Sequence, residues 1–115
     1  MQTNGAAQLE KRDDLHVSRM VEDVIGCKWS MAVLGLVRNG ICRPGAMERN
    51  LPGLTTKVLN ERLRKFVRFG VLARHAFPET PPRVEYQLTP FGMRFLAILD
   101  MIEQLQMEQA GSRTR

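Results

Sequence analysis

Residues 51–70 read LPGLTTKVLNERLRKFVRFG, a Pro-Gly turn followed by a stretch in which apolar and basic residues divide at helical spacing. At about 100° per residue, Leu59, Leu63 and Phe66 fall on one side of the helix, with Arg62 and Val67 on its borders. Lys57, Glu61, Arg64 and Arg68 point the opposite way, and Asn60 lies beside them. Thr55 or Thr56 can cap the helix through its hydroxyl, and Gly70 is a natural left-handed stop. One face is therefore built to pack and the other to look outward. Glu61 is the only acid among Lys57, Arg62, Arg64, Lys65 and Arg68, so intrahelical ion pairs are too few to explain the charge.

Immediately upstream, RPGAMERNL (43–51) reads as a short helix opened by Pro44. Two short helices joined by a Pro-Gly turn, the second carrying the charge, form a helix-turn-helix pattern. Downstream, VLARHAF (71–77) and RVEYQL (83–88) read as two strands joined by PETPP (78–82), with Val84, Tyr86 and Leu88 alternating with Arg83, Glu85 and Gln87. A hairpin that follows a helix-turn-helix at once is a wing. Its prolines leave few free donors and little flexibility, which would hold Arg83 for a phosphate backbone or a minor groove. The plainer role, closing the core through Tyr86 and Leu88, can coexist with that one.

The flanks supply further helices. Val17, Met20, Val21, Val24 and Ile25 keep helical spacing until Gly26, and Trp29, Ala32, Val33, Leu36 and Val37 resume it until Gly40. The last helix starts at LTPFG (88–92), with Thr89 as cap and Pro90 in its first turn. Phe91, Phe95, Ile98, Ile102 and Leu105 follow at spacings of three and four, while Leu96, Leu99 and Met101 widen the apolar surface. One small domain cannot easily cover so broad a stripe, so a second copy of the chain is expected to share it. The expected interface comprises Val17, Val21, Phe95, Ile98, Leu99, Ile102 and Leu105. The expected organisation is a flexible arm over residues 1–14, one folded domain over 15–109, and a disordered tail over 110–115.

Charge narrows the partner. The chain has 115 residues and a net charge of +5. Residues 1–40 are neutral, residues 76–115 sum to −1, and residues 41–75 carry +6. Positive charge concentrated on one stretch is the footprint of a polyanion, and duplex DNA fits it. A rival reading, a winged helix used only for protein interaction, leaves that concentration unexplained. No apolar run is long enough to cross a bilayer, and the polar start lacks a signal peptide's apolar stretch, so a cytoplasmic protein is expected. Cys27 and Cys42 make no disulfide framework and have no metal-ligand spacing with His16 or His75. Buried, reduced thiols are the plain reading of both, and a thiol-based redox sensor through either is the alternative. With no Gly-rich phosphate loop, paired carboxylates or nucleophile elbow, the chain does not read as an enzyme, and neither cofactor nor metal is expected.

Four stretches in order, IGCKWSMAVL, LPGLTTKVLNERLRKF, FGVL and PPRVEYQLTPFG, resemble the HxlR family of bacterial winged helix-turn-helix transcription regulators. The resemblance runs from about Met20 to Leu105. It implies an α+β, mainly helical fold: a winged helix-turn-helix with a β-hairpin wing and a long C-terminal dimerisation helix. It further implies a homodimer on double-stranded operator DNA, with the helix after LPG in the major groove, the PPRVEY hairpin as wing, and helices from both chain ends at the dimer interface. On this sequence the DNA-binding set becomes Thr55, Thr56, Lys57, Asn60, Arg64, Arg68 and Arg83. The partners expected are operator DNA and a second copy of the chain, with no membrane, and whether an unidentified small-molecule effector acts as well is left open. Two positions depart from the family pattern. His16 stands where family members often carry a cysteine near the start of the first helix, and Cys27 stands where a second glycine is common.

Overall fold

The structure is a computed structural model that describes residues 16–113. Its elements follow in the order α1 (Val17–Gly26), α2 (Ser30–Arg38), α3 (Pro44–Asn50), α4 (Thr56–Arg68), β1 (Leu72–Phe77), β2 (Arg83–Leu88) and α5 (Pro90–Arg113). This is a winged helix-turn-helix with a long last helix, α+β and mainly helical, as the sequence implies. The expected arm over residues 1–14 lies outside the described residues. The expected tail is corrected in part: α5 runs on to Arg113, so residues 110–113 are helical.

Local chemistry accounts for the element boundaries. Pro44 opens α3 at a position whose N–H would have no helical acceptor. The Thr55 hydroxyl accepts a hydrogen bond from Val58 N at 3.2 Å, so Thr55, of the two candidates, caps α4. Thr56 does something else: its hydroxyl donates to Glu48 Oε1 at 2.8 Å and ties α4 to α3. Thr55→Ala should therefore lower stability by about 1 kcal/mol. Chemical denaturation reads the change, and an unaltered midpoint would show that the cap contributes nothing.

The core gathers one face from each element. Leu59, Leu63 and Phe66 of α4 are fully buried, as their angles require, against Val24 of α1, Val33 and Leu34 of α2 and Met47 of α3. The junction between α1 and α2 is tighter than helical spacing suggests. Trp29 adopts a left-handed backbone (φ 77°), α2 begins only at Ser30, and the indole ring lies against Gly53 in the turn before α4. Lys28 O accepts a hydrogen bond from Arg62 Nε at 3.3 Å. The amino-terminal helices thus brace both the turn and the flank of α4.

The hairpin pairs β1 with β2 antiparallel, from Leu72 opposite Leu88 to Phe77 opposite Arg83. Tyr86 faces the core, and its N–H donates to Cys42 O at 2.8 Å, so the segment after α2 covers part of the outer edge of β2. α5 is anchored at its start by Thr89, whose hydroxyl accepts from Gly92 N at 2.8 Å and donates toward the Gly70 and Val71 carbonyls. Farther along, Arg38 of α2 holds Asp100 through two bonds of 2.9 and 3.0 Å, a forked pair across the surface. That bond keeps the Asp100 carboxyl below its ordinary pKa and the Arg38 guanidinium above its own.

Candidate nucleic-acid interface

α4 presents Lys57, Asn60, Glu61, Arg64 and Arg68 to solvent, with Thr55 and Thr56 exposed at its start. Its border cations are turned to structural use. Lys65 reaches Asp23 of α1 at 3.0 Å in a pair that is about one-third exposed on each side, and Arg62 is held by the Lys28 carbonyl. Arg64 Nε lies 3.5 Å from Asn60 O, at the limit of a hydrogen bond, so its guanidinium runs along the outer face. The charge concentration seen in the sequence thus divides into cations that brace the helix and cations that look outward. Exposed Arg49 on α3 and exposed Arg74 on β1 add to the second group. They belong to the +6 stretch, but no spacing rule singles them out.

The wing differs from its expectation in one respect. Arg83 is held fixed, but by partners other than the prolines. It donates through Nη2 to Glu79 Oε2 at 2.8 Å and through Nε to Glu79 Oε1 at 3.3 Å, and it bonds Glu85 through Nη1. Its guanidinium lies 3.8 Å from the centroid of the Phe77 ring, its cross-strand neighbour. Arg43 adds a second cation to Glu85 at 3.5 Å. The hydrogen bond from Arg83 holds the Glu79 carboxyl below its ordinary pKa, and the same bond raises Arg83. In the free molecule the wing arginine is fully engaged within the hairpin.

The expected interface residues separate into two groups. Phe95 and Leu99 are each 1% exposed and belong to the core of their own chain, which corrects their assignment to a surface shared with a second copy. Leu96, turned inward beside them, shares that face. The reason is angular: Phe95, Leu96 and Leu99 centre about 120° away from Ile98, Met101, Ile102 and Leu105 on the helix. Ile98, Met101 and Leu105 stay exposed, and Ile102 is half-buried. On α1, Val17 is exposed and Val21 packs partly on the core.

The remaining candidates are plain. Cys27 and Cys42 are free and half-buried, and Cys27 Sγ lies 3.5 Å from Asp23 Oδ1. The Lys28 ammonium stands 5.3 Å from the Trp29 ring centroid. Among the described residues no group of His, Cys, Asp or Glu could hold a metal ion, and no helix is long and apolar enough to cross a membrane.

The architecture and the sequence have known counterparts. The chain is 34% identical over 93 residues to the HTH-type transcriptional regulator YtcD of Bacillus subtilis, a match covering 81% of this chain and 73% of that one. It is 40% identical over 85 residues to an HTH-type transcriptional regulator of a Synechocystis species, covering 74% of this chain and 63% of the relative. A transcriptional regulator of the MarR family from Enterococcus faecalis superposes with a TM-score of 0.73 at 33% identity, over 84% of this chain and 87% of that one. The profile of the HxlR-like helix-turn-helix family matches residues 24–114, and on helix-turn-helix, wing and sequence together the chain belongs to that family of DNA-binding transcriptional regulators.

Proposed function

We propose that two copies of the chain bind a (pseudo)palindromic operator in double-stranded DNA, each laying α4 in a major groove and its hairpin on the adjacent backbone or minor groove. What carries the reading is the outer face of α4, where Lys57, Asn60 and Arg64 stand exposed while Leu59, Leu63 and Phe66 are buried on the opposite side. Base edges are read by residues near the amino-terminal half of such a helix, and phosphates by the cations along it. Asn60 is the residue suited to reading a base, because its amide can donate and accept at an adenine edge. Thr55 and Thr56 sit where a phosphate would meet the first backbone N–H groups of α4. Lys57, Arg64 and Arg68 supply charge.

Selection of bound duplexes from a random pool would give the operator and the spacing of its halves. On that operator, Asn60→Ala should cost about 1–3 kcal/mol at one preferred base pair. On unrelated duplex the same change should cost much less. Equal weakening on both would make Asn60 a positioning contact. A parent protein that binds no duplex, or binds with an affinity indifferent to salt, would favour the protein-interaction reading instead.

A further inference from the structure

The wing tip gathers two arginines and two glutamates, and the two acids are not equivalent. Glu85 has a side chain only 15% exposed and is shared by Arg83 and Arg43, so it belongs to the hairpin's permanent framework. Glu79 stands at the tip with its side chain 50% exposed and Arg83 as its ion-pair partner. Its two oxygens take Nε and Nη2 of the guanidinium, the forked arrangement in which arginine also takes two oxygens of a phosphate. The Phe77 ring supports one face of the guanidinium, leaving the fork edge as the side that can change partners.

We propose that Glu79 is a built-in stand-in for a DNA phosphate, occupying the Arg83 fork in the free protein and yielding it when the hairpin meets a duplex. The inference rests on the DNA-binding reading above and assigns the wing a further residue that controls when its arginine engages. Opening the fork breaks one ion pair and leaves Glu79 facing a polyanion without a partner. The wing contact is therefore made only where the fit of phosphate to Arg83 offsets both costs. A duplex that fits poorly leaves Arg83 on Glu79. Glu79 thus lowers affinity for every duplex that Arg83 would otherwise contact, and it sets the threshold at which the wing engages.

Glu79→Gln keeps the size of the side chain and removes its charge. The parent, Glu79→Gln, Arg83→Ala and the double variant would be titrated onto a labelled duplex of random sequence, by fluorescence anisotropy, over a series of KCl concentrations. Glu79→Gln should bind several-fold more tightly than the parent, with a plot of log affinity against log salt steeper by about 0.9, equivalent to one more neutralised phosphate. In the Arg83→Ala background that gain should be much smaller, because no fork remains to be released. Glu79→Ala should shift affinity in the same direction, which guards against an effect peculiar to glutamine. An equal gain in both backgrounds would mean that Glu79 acts only through its charge, and no gain in either would mean that Arg83 makes no phosphate contact even when released. Either result overturns the proposal. A parent that binds no duplex would instead overturn the DNA-binding reading, and this inference with it.

Discussion

Replacing Gly92 with alanine should lower the stability of the folded protein by about 3 kcal/mol, although the change adds a single methyl group to a helix. A Cβ built at Gly92 would stand 2.1 Å from the carbonyl oxygen of Val71 and 3.0 Å from its carbon. Both neighbours are backbone, so no side chain can swing aside. That same carbonyl accepts the Thr89 N–H at 3.1 Å and lies 3.2 Å from the Thr89 hydroxyl. Relieving the overlap means lifting the start of α5 off the segment after α4, with loss of the cap that orients the helix. Intrinsic helix propensity pulls the other way, since alanine is favoured over glycine by about 1 kcal/mol in a helix interior. Gly35 in α2 isolates that contribution, because a Cβ there meets nothing within 4 Å. Gly35→Ala should stabilise by about 0.4–1 kcal/mol, while Gly92→Ala should lower the melting temperature by roughly 12–24 °C. Thermal unfolding of the two variants side by side separates crowding from propensity, and a Gly92→Ala protein that melted with its parent would remove the close approach as a stabilising feature.

Much of this fold is legible in the sequence because its signals are local. Thr55, Pro44 and Gly70 act on backbone within a few residues, as does the Thr89 hydroxyl in accepting from Gly92 N, so these roles can be read without knowing the tertiary structure. The packing face of α4 is equally plain, since Leu59, Leu63 and Phe66 share an angle that no basic residue occupies. Periodicity is less decisive on α5. There apolar residues cover two adjoining sides, and spacing cannot say which side meets the protomer's own core. Tertiary contacts, the close approach of Gly92 to Val71, the Thr89 cap and the Arg38–Asp100 pair, accompany the rotation that buries Phe95 and Leu99 and leaves Ile98 outside.

The candidate site is legible in composition more than in detail. Lys65 and Arg62 count toward the basic stretch, yet one pairs with Asp23, 42 residues away, and the other with a backbone carbonyl 34 residues away. No local rule exposes such pairs. The sequence marks Arg83 as a fixed cation for a reason that holds only in part. The prolines mark the turn, whereas Glu79, Glu85 and Phe77 hold the guanidinium, and those partners emerge only once the strands are paired in register.

Exchanging both Met101 and Leu105 for glutamate should turn the proposed dimer into a monomer and weaken operator binding roughly 10²–10⁴-fold, the range forfeited when two linked half-sites become independent. The two side chains are 70% and 63% exposed, so their removal takes little from the protomer's own core. With Ile98 and Ile102 they line one apolar stripe, bordered by Gln104 and Glu108. A stripe of this kind suits a twofold interface, where each copy offers the same surface and each residue meets a symmetry-related one. Two glutamates per copy would then place four carboxylates around the axis, beside Glu108, with less apolar surface left to bury. Sedimentation velocity would follow assembly, circular dichroism would confirm that helix content survives, and binding would be measured on the selected operator and on a single half-site. The half-site provides the decisive comparison. If the stripe joins two readers, the double variant should bind one half-site about as well as the parent protomer does, because α4 is untouched. If the stripe serves only to pack within one chain, the variant should lose helix content or stability, and its affinity for half-site and operator should fall together. A parent that sedimented as a folded monomer at micromolar concentration would remove the dimer altogether. Operator recognition would then have to come from one α4 and one hairpin, a surface too small to specify a palindrome.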